Sequence, residues 1–270
     1  MPDFLRLVIG TLTRFPVPAP RRIDERSVRA AMLSAPLIGL LLGGIAVVVL
    51  DGVRVLAAHG QSRVIVDLLA AVIAVASLAF MTRGLHLDGL ADTFDALGVK
   101  GPDDEQTRTR RLDVMRSPEI GAFGVIAVVL CLMVQVTALA ACVVAGLGSF
   151  GLLTAAMASR LALTLSCRPS IPSARSDGLG ATVAGSVPAA LGIAVSVAVI
   201  GLAAVFGRLD DDASWRTVVA LTGSVVVAIA TSQIALRMLT RAFGGVTGDV
   251  FGAITELSFA ASLLTTACLF

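Results

Sequence analysis

Seven long apolar stretches, each close to the length that crosses a lipid bilayer, confine this chain to a membrane-embedded helical bundle. A span needs roughly 20 mainly apolar residues, and in lipid every backbone polar group must be satisfied within the protein. The stretches run over about 31–50, 64–81, 120–145, 147–167, 188–206, 217–239 and 252–270. The second is short, the third is long, and the seventh reads as the least apolar because it carries Glu256 and several Ser and Thr. Apolar residues make up 56% of the 270 positions and charged residues 15%, with a mean hydropathy of +0.91. A water-soluble domain of this length needs far more polar surface. The fold class expected is all-α: a polytopic α-helical integral membrane protein with about seven transmembrane spans.

The distribution of Lys and Arg sets the expected orientation, because segments left on the cytoplasmic side carry the excess. Segments 1–30, 82–119, 168–187 and 240–251 together hold fifteen, and the alternate segments hold four: Arg54, Arg63, Arg208 and Arg216. The N-terminus is therefore expected inside and the C-terminus outside. Residues 1–30 read as a cytoplasmic N-terminal segment without a cleavable signal. Residues 3–14 are too short to span and suit an interfacial helix stopped by Pro16, Pro18 and Pro20. Residues 31–270 read as a single transmembrane domain. A net charge of +2 gives no basic field for nucleic acid. The four cysteines form no Cys-x-x-Cys pair and read as small apolar fillers. His59 and Asp67 receive no function, and Asp67 is expected to reach water from its helix end.

Three groups of residues could carry chemistry. In Arg83-Gly-Leu-His86-Leu-Asp88-Gly-Leu-Ala-Asp92-Thr-Phe-Asp95, the three aspartates stand at i, i+4 and i+7, within an arc of roughly 60° on one helix face. Like charges so stacked repel, and a hard oxygen-seeking cation such as Mg²⁺, shared with substrate phosphates, removes the repulsion. A solvated acidic helix face is the plain alternative. The second group is Gly244-Gly245-Val-Thr247-Gly248-Asp249 followed by Glu256. A glycine-rich turn opening a helix suits a phosphate, although a helix-breaking loop has the same composition. Glu256 shares a helical face with Asp249 and sits inside an apolar run, where ionisable residues are expensive and functional by default. The third group is Arg116, Arg160, Arg168 and Arg237 near the inner face. Guanidinium groups grip phosphates, but Arg160 and Arg237 could equally pair with buried acids or snorkel to headgroups. His86 could assist proton transfer or serve as a structural hydrogen-bonding group.

At these motifs the sequence resembles the adenosylcobinamide-GDP ribazoletransferase (cobalamin 5′-phosphate synthase) family. The stretches that carry the resemblance are Leu12-Thr13-Arg14-Phe15-Pro16-Val17-Pro18, Pro36-Leu37-Ile38-Gly39, Leu85-His86-Leu87-Asp88-Gly89-Leu90-Ala91-Asp92-Thr93, Val114-Met115-Arg116, Ser159-Arg160, Asp177-Gly178-Leu179-Gly180, and Gly244-Gly245-Val246-Thr247-Gly248-Asp249 with Glu256. Arg83 stands where the family pattern has glycine, and Ser117-Pro118 stands where Asp-Ser is common.

The resemblance implies a Mg²⁺-dependent enzyme of the cell inner membrane, its active site facing the cytoplasm. It would join α-ribazole or α-ribazole 5′-phosphate to adenosylcobinamide-GDP and release GMP, late in cobalamin biosynthesis. On this reading Asp88, Asp92, Asp95, Asp249 and Glu256 are metal ligands, and Asp88, Asp92 and His86 are the candidates for catalytic work. Arg116, Arg160, Arg237, Gly244, Gly245, Thr247 and Gly248 would bind substrate. The lipid bilayer is the surrounding partner, and a homo-oligomer is left open. Two other readings stand beside it. A CDP-alcohol phosphotransferase acting on lipids shares the idea of aspartates around a diphosphate, but Asp92 occupies a position where that pattern has Arg. A cation transporter would place its carboxylates near mid-bilayer on broken helices.

Overall fold

The computed structural model describes residues 1–57, 62–210 and 214–270; His59 lies outside them. Eleven helices occur among the described residues: α1 (Asp3–Leu12), α2 (Glu25–Leu56), α3 (Arg63–Met81), α4 (Leu85–Gly98), α5 (Asp104–Val114), α6 (Ala122–Val144), α7 (Gly148–Ser166), α8 (Gly178–Val183), α9 (Ala189–Leu209), α10 (Trp215–Phe243) and α11 (Gly248–Leu269). Seven of them, α2, α3, α6, α7, α9, α10 and α11, are long and apolar enough to cross a membrane. The chain has the architecture of a multi-pass membrane protein, as the hydropathy pattern predicts.

Capping decides where the spans begin, and hydropathy alone does not see it. The Asp24 carboxylate accepts from Ser27 N at 2.8 Å, while Asp24 N donates to Ser27 Oγ at 3.0 Å. This reciprocal cap starts α2 at Glu25, so residues 25–30 belong to a helix that the arginines there conceal. Thr247 caps α11 by accepting from Val250 N at 3.2 Å, which brings Asp249 into the first turn of that helix.

The spans differ in how they face their surroundings. α3, α6 and α9 expose apolar side chains such as Ile65, Leu69, Phe123, Leu130, Ile193 and Val197, the surface expected of helices bathed in lipid. α7 is buried on nearly all sides, with α2 and α11 among the helices packed against it. Close helix approach there depends on small residues. A Cβ on Gly39 of α2 would collide with the Ala156 carbonyl of α7, and one on Gly43 would stand 2.9 Å from the Ala156 Cβ. Contrary to expectation, α7 rather than α11 has the lowest hydropathy of the seven, by a small margin. The reason is burial: a helix wrapped by protein can carry Thr154, Ser159, Arg160, Thr164 and Ser166 away from lipid. Asp67 also departs from expectation. It is buried and accepts from Arg54 Nε at 2.9 Å rather than reaching water.

α1 lies against α2 through buried Val8 and Leu12, and two bonds clip its end to the turn before α4. Arg14 N donates to the Met81 carbonyl at 2.7 Å, and Arg83 Nη2 donates to the Thr13 carbonyl at 3.2 Å. Arg83 is the only non-glycine with positive φ among the described residues, at 57°. That left-handed backbone explains why glycine suits the position.

Candidate active site

The site is built where α4 crosses the start of α11. Gly89 and Gly252 face each other at this crossing. A Cβ on Gly89 would stand 2.7 Å from the Asp249 carbonyl oxygen, and one on Gly252 would stand 2.9 Å from the His86 carbonyl oxygen. Two helices this close bring exposed Asp88 and half-buried Asp92 of α4 toward Asp249. Burial is the main force pushing the Asp92 carboxyl up, to about 7, and the negative charges of Asp88, Asp249 and Asp95 add to it. Arg175 is the one cation that pulls it back. Acids from two distant stretches of sequence therefore share one electrostatic site.

The other aspartate of the α4 series is placed differently. Asp95 accepts from Gly121 N at 2.7 Å and from Gly124 N at 2.8 Å, one on each carboxylate oxygen. It staples the N-terminus of α6, where free N–H groups and the helix dipole favour an anion. Glu256 lies deeper along α11, where Gln135 Nε2 donates to its Oε2 at 2.7 Å. Together with Arg160 these two side chains line a small cavity of about 20 Å³. Arg160 is buried, donates through Nη1 to Ser159 Oγ at 2.9 Å, and leaves its Nε without a partner. Glu256 and Arg160 thus form a buried polar group below the crossing, apart from Asp88, Asp92 and Asp249. His86 also faces inward. It is 3% exposed and neither ring nitrogen has a partner. Burial first, and the Arg160 charge second, push it down to about 3, so the imidazole is neutral at physiological pH. Arg237 is exposed on α10 beside Ile234 and Met238, and its side chain enters no hydrogen bond or ion pair among the described residues.

The glycine turn before α11 is fixed by packing. Gly244 closes α10 at a φ of 82°. Gly245 sits so near residues 172–174 that a Cβ would stand 2.5 Å from Ala174 N. Val246 N donates to the Pro172 carbonyl at 2.9 Å, and Ala174 N donates to the Val246 carbonyl at 3.0 Å. Thr247 Oγ1 also reaches Asp249 Oδ2 at 3.3 Å. Gly248 has open room beside Leu179. The loop from α7 to α8 is thereby stitched to the turn, which brings Arg175 toward Asp249, with Nη1 4.0 Å from Oδ2. In the sequence Arg175 reads only as a positive-inside charge. The nearby Asp177-Gly178-Leu179-Gly180 run was the only local signal, and its Asp177 takes Arg116 Nη2 at 3.1 Å on an exposed surface.

Beside the carboxylates opens a cavity of about 730 Å³, lined by Gly10 and Thr11 of α1, by Thr82–Leu85, Leu87, Asp88 and Ala91, and by Ile120, Val128 and Leu179. Its walls are mainly apolar, with Asp88 and Arg83 as the charged groups. Among the described residues no group of three or more His, Cys, Asp and Glu side chains stands where it could hold a metal ion by itself. The donor chemistry is still that of a partial shell for a hard cation. Asp88, Asp92 and Asp249 offer only oxygen, and their repulsion at Asp92 is what a divalent ion removes. Mg²⁺ characteristically takes one or two carboxylates and completes its shell with water and substrate phosphate.

A family model described as Cobalamin-5-phosphate synthase matches residues 4–267. Among curated proteins the chain is similar to the adenosylcobinamide-GDP ribazoletransferase of Frankia casuarinae, 41% identical over 267 residues that cover 97% of this chain and 93% of that protein. It is also similar to the protein of the same name from Nocardioides sp., 40% identical over 266 residues and 98% of each chain. The protein of that name from Shigella boydii is 31% identical over 257 residues, 93% of each. No solved structure matches the chain. With the match spanning every helix of the site, this chain belongs to the cobalamin-5-phosphate synthase family.

Proposed function

We propose that this membrane transferase joins α-ribazole, or its 5′-phosphate, to adenosylcobinamide-GDP and releases GMP, on the cytoplasmic face of the inner membrane. The observation that carries the reading is the α4–α11 crossing at Gly89 and Gly252, which sets Asp88 and Asp92 against Asp249 beside a cavity of about 730 Å³. A diphosphate needs charge neutralisation and alignment more than covalent help from a protein. Asp88, Asp92 and Asp249 would hold Mg²⁺, which when bound supplies neutralisation of the diphosphate charge.

The residues of the chain do the remaining work. Apolar walls from Leu87, Ile120, Val128 and Leu179 seat the non-polar parts of the substrates and leave the reacting end at the acids. Asp88, exposed on the cavity wall, accepts the proton of a ribose ring hydroxyl, which is free in both the nucleoside and its 5′-phosphate, as that oxygen attacks the β-phosphorus and GMP departs. His86 is not suited to that role, because a neutral imidazole pushed down to about 3 is a weak base. Glu256 ties α11 to α6 through Gln135, and Arg160 of α7 lines the same small cavity.

The test is direct. Purified protein in detergent, given α-ribazole, adenosylcobinamide-GDP and Mg²⁺, should release GMP, and the variants Asp88→Ala and Asp249→Ala should not. Release of CMP from a CDP-linked lipid instead, with no GMP from the corrinoid, would replace this reading with the lipid phosphotransferase one.

A further inference from the structure

Arg175 has the features of a binding group held ready for an anion that the protein itself does not provide. Its Nη2 donates to the Leu112 carbonyl of α5 at 2.8 Å, which fixes the guanidinium plane. Its backbone is held as well: Ser173 Oγ donates to the Arg175 carbonyl at 2.7 Å, and the neighbouring Ala174 pairs with Val246. The side chain is mostly buried, at 18% exposed. Yet its Nε is buried without any acceptor, and its Nη1 stops 4.0 Å from Asp249 Oδ2, beyond hydrogen-bond reach. Asp249 meanwhile has Thr247 Oγ1 at 3.3 Å. An arginine present only to neutralise Asp249 would close on it. This one is anchored short of contact with donors left over.

Resting on the function proposed above, we infer that Arg175 is the residue that grips the diphosphate of the corrinoid substrate. A guanidinium presents its donors as a planar fork that matches two oxygens of one phosphate, which an ammonium cannot do. Arg175 faces Asp249 and acts electrostatically on Asp92, so a phosphate drawn to a cation at those acids comes beside its fork. Arg116, which the family resemblance assigns to substrate, is instead committed to Asp177 at an exposed position. Anchorage at Leu112 also means that the fork need not be ordered when substrate arrives, which is the economy of a preorganised site.

Arg175→Lys and Arg175→Ala test this in the full-length protein in detergent, by two separate readouts. The first is calorimetric binding of inorganic pyrophosphate with Mg²⁺ held saturating. Wild type should bind it, Arg175→Lys should bind about tenfold more weakly, and Arg175→Ala more weakly still. The second is steady-state kinetics. KM for adenosylcobinamide-GDP should rise by at least about tenfold in Arg175→Lys while KM for α-ribazole stays within about twofold. Thermal unfolding of both variants guards against misfolding. If extra Mg²⁺ restores the variants with an unchanged KM for the corrinoid, Arg175 is only a counter-charge and the inference is overturned. Wild-type protein that fails to bind pyrophosphate overturns it too. Wild-type protein that binds pyrophosphate through Arg175 but releases no GMP overturns the proposed reaction and leaves the phosphate grip standing.

Discussion

At the scale of single residues, the acids of α4 do different jobs although their spacing makes them look alike. Asp92 carries the charge conflict. Its carboxyl, at about 7 rather than the ordinary 3.8, is protonated more readily in the folded protein than in the unfolded chain. The metal-free fold is therefore favoured by this group at low pH and loses that contribution as pH rises through 7. Cation binding needs the ionised form, so it strengthens over the same window. The rise in thermal unfolding temperature caused by Mg²⁺ should be larger at pH 8 than at pH 6, and Asp92→Asn should remove the difference. An equal rise at both pH values in the wild type would count against the assignment. Asp95 makes the contrasting case, with both oxygens committed to Gly121 N and Gly124 N. Asp95→Ala should lose about 1–2 kcal/mol, the scale of a helix cap, while the response to Mg²⁺ persists. Denaturant titration with and without Mg²⁺ checks both halves. The spacing of Asp88, Asp92 and Asp95 was legible in the sequence, but the fate of Asp95 was not. It depends on residues 26 and 29 positions away, whose glycines leave room for the carboxylate: a Cβ on either Gly121 or Gly124 would collide with it.

At the scale of elements, helix existence was written plainly and helix contact was not. Hydropathy marks the seven long helices because lipid tolerates nothing else, but it is silent about which helix touches which. The α4–α11 crossing rests on Gly89 and Gly252, and a lone glycine in a helix carries no label saying what it faces. Gly89→Ala would set a methyl group 2.7 Å from the Asp249 carbonyl. Overpacking of this kind costs about 1–3 kcal/mol. Because the displaced backbone carries Asp249 itself, catalysis should fall by about a hundredfold or more, well beyond what partial unfolding at the assay temperature explains. Activity per folded molecule, with folding followed by unfolding temperature, separates the two effects. Hydropathy also hid the order of burial. α7 looked like an ordinary span and α11 like the weakest, yet both are polar for one reason: protein rather than lipid surrounds them.

At the scale of the whole molecule, charge asymmetry makes a statement that packing does not. Fifteen Lys and Arg on one set of connecting segments against four on the other predict an inside N-terminus and an outside C-terminus. A fluorescent protein fused to the C-terminus should stay dark and alkaline phosphatase fused there should be active, with the reverse at the N-terminus. A bright C-terminal fluorescent fusion would move Asp88 and Asp249 to the outer face and away from a cytoplasmic diphosphate. The membrane class, the two motifs and the family were readable from one sequence because they rest on composition and short local patterns. Arg175 and the burial of His86 were not, since each depends on how loops and faces meet after folding.

The parallel bridge between Ser173 and Val246 joins two loops that each carry or adjoin one charge of the site. It ties the α7–α8 loop to the turn that opens α11, so the backbone next to Arg175 and the backbone next to Asp249 are held as one piece. The spacing between cation and acid is thus set by main-chain pairing between two loops, with no lipid-facing helix in between.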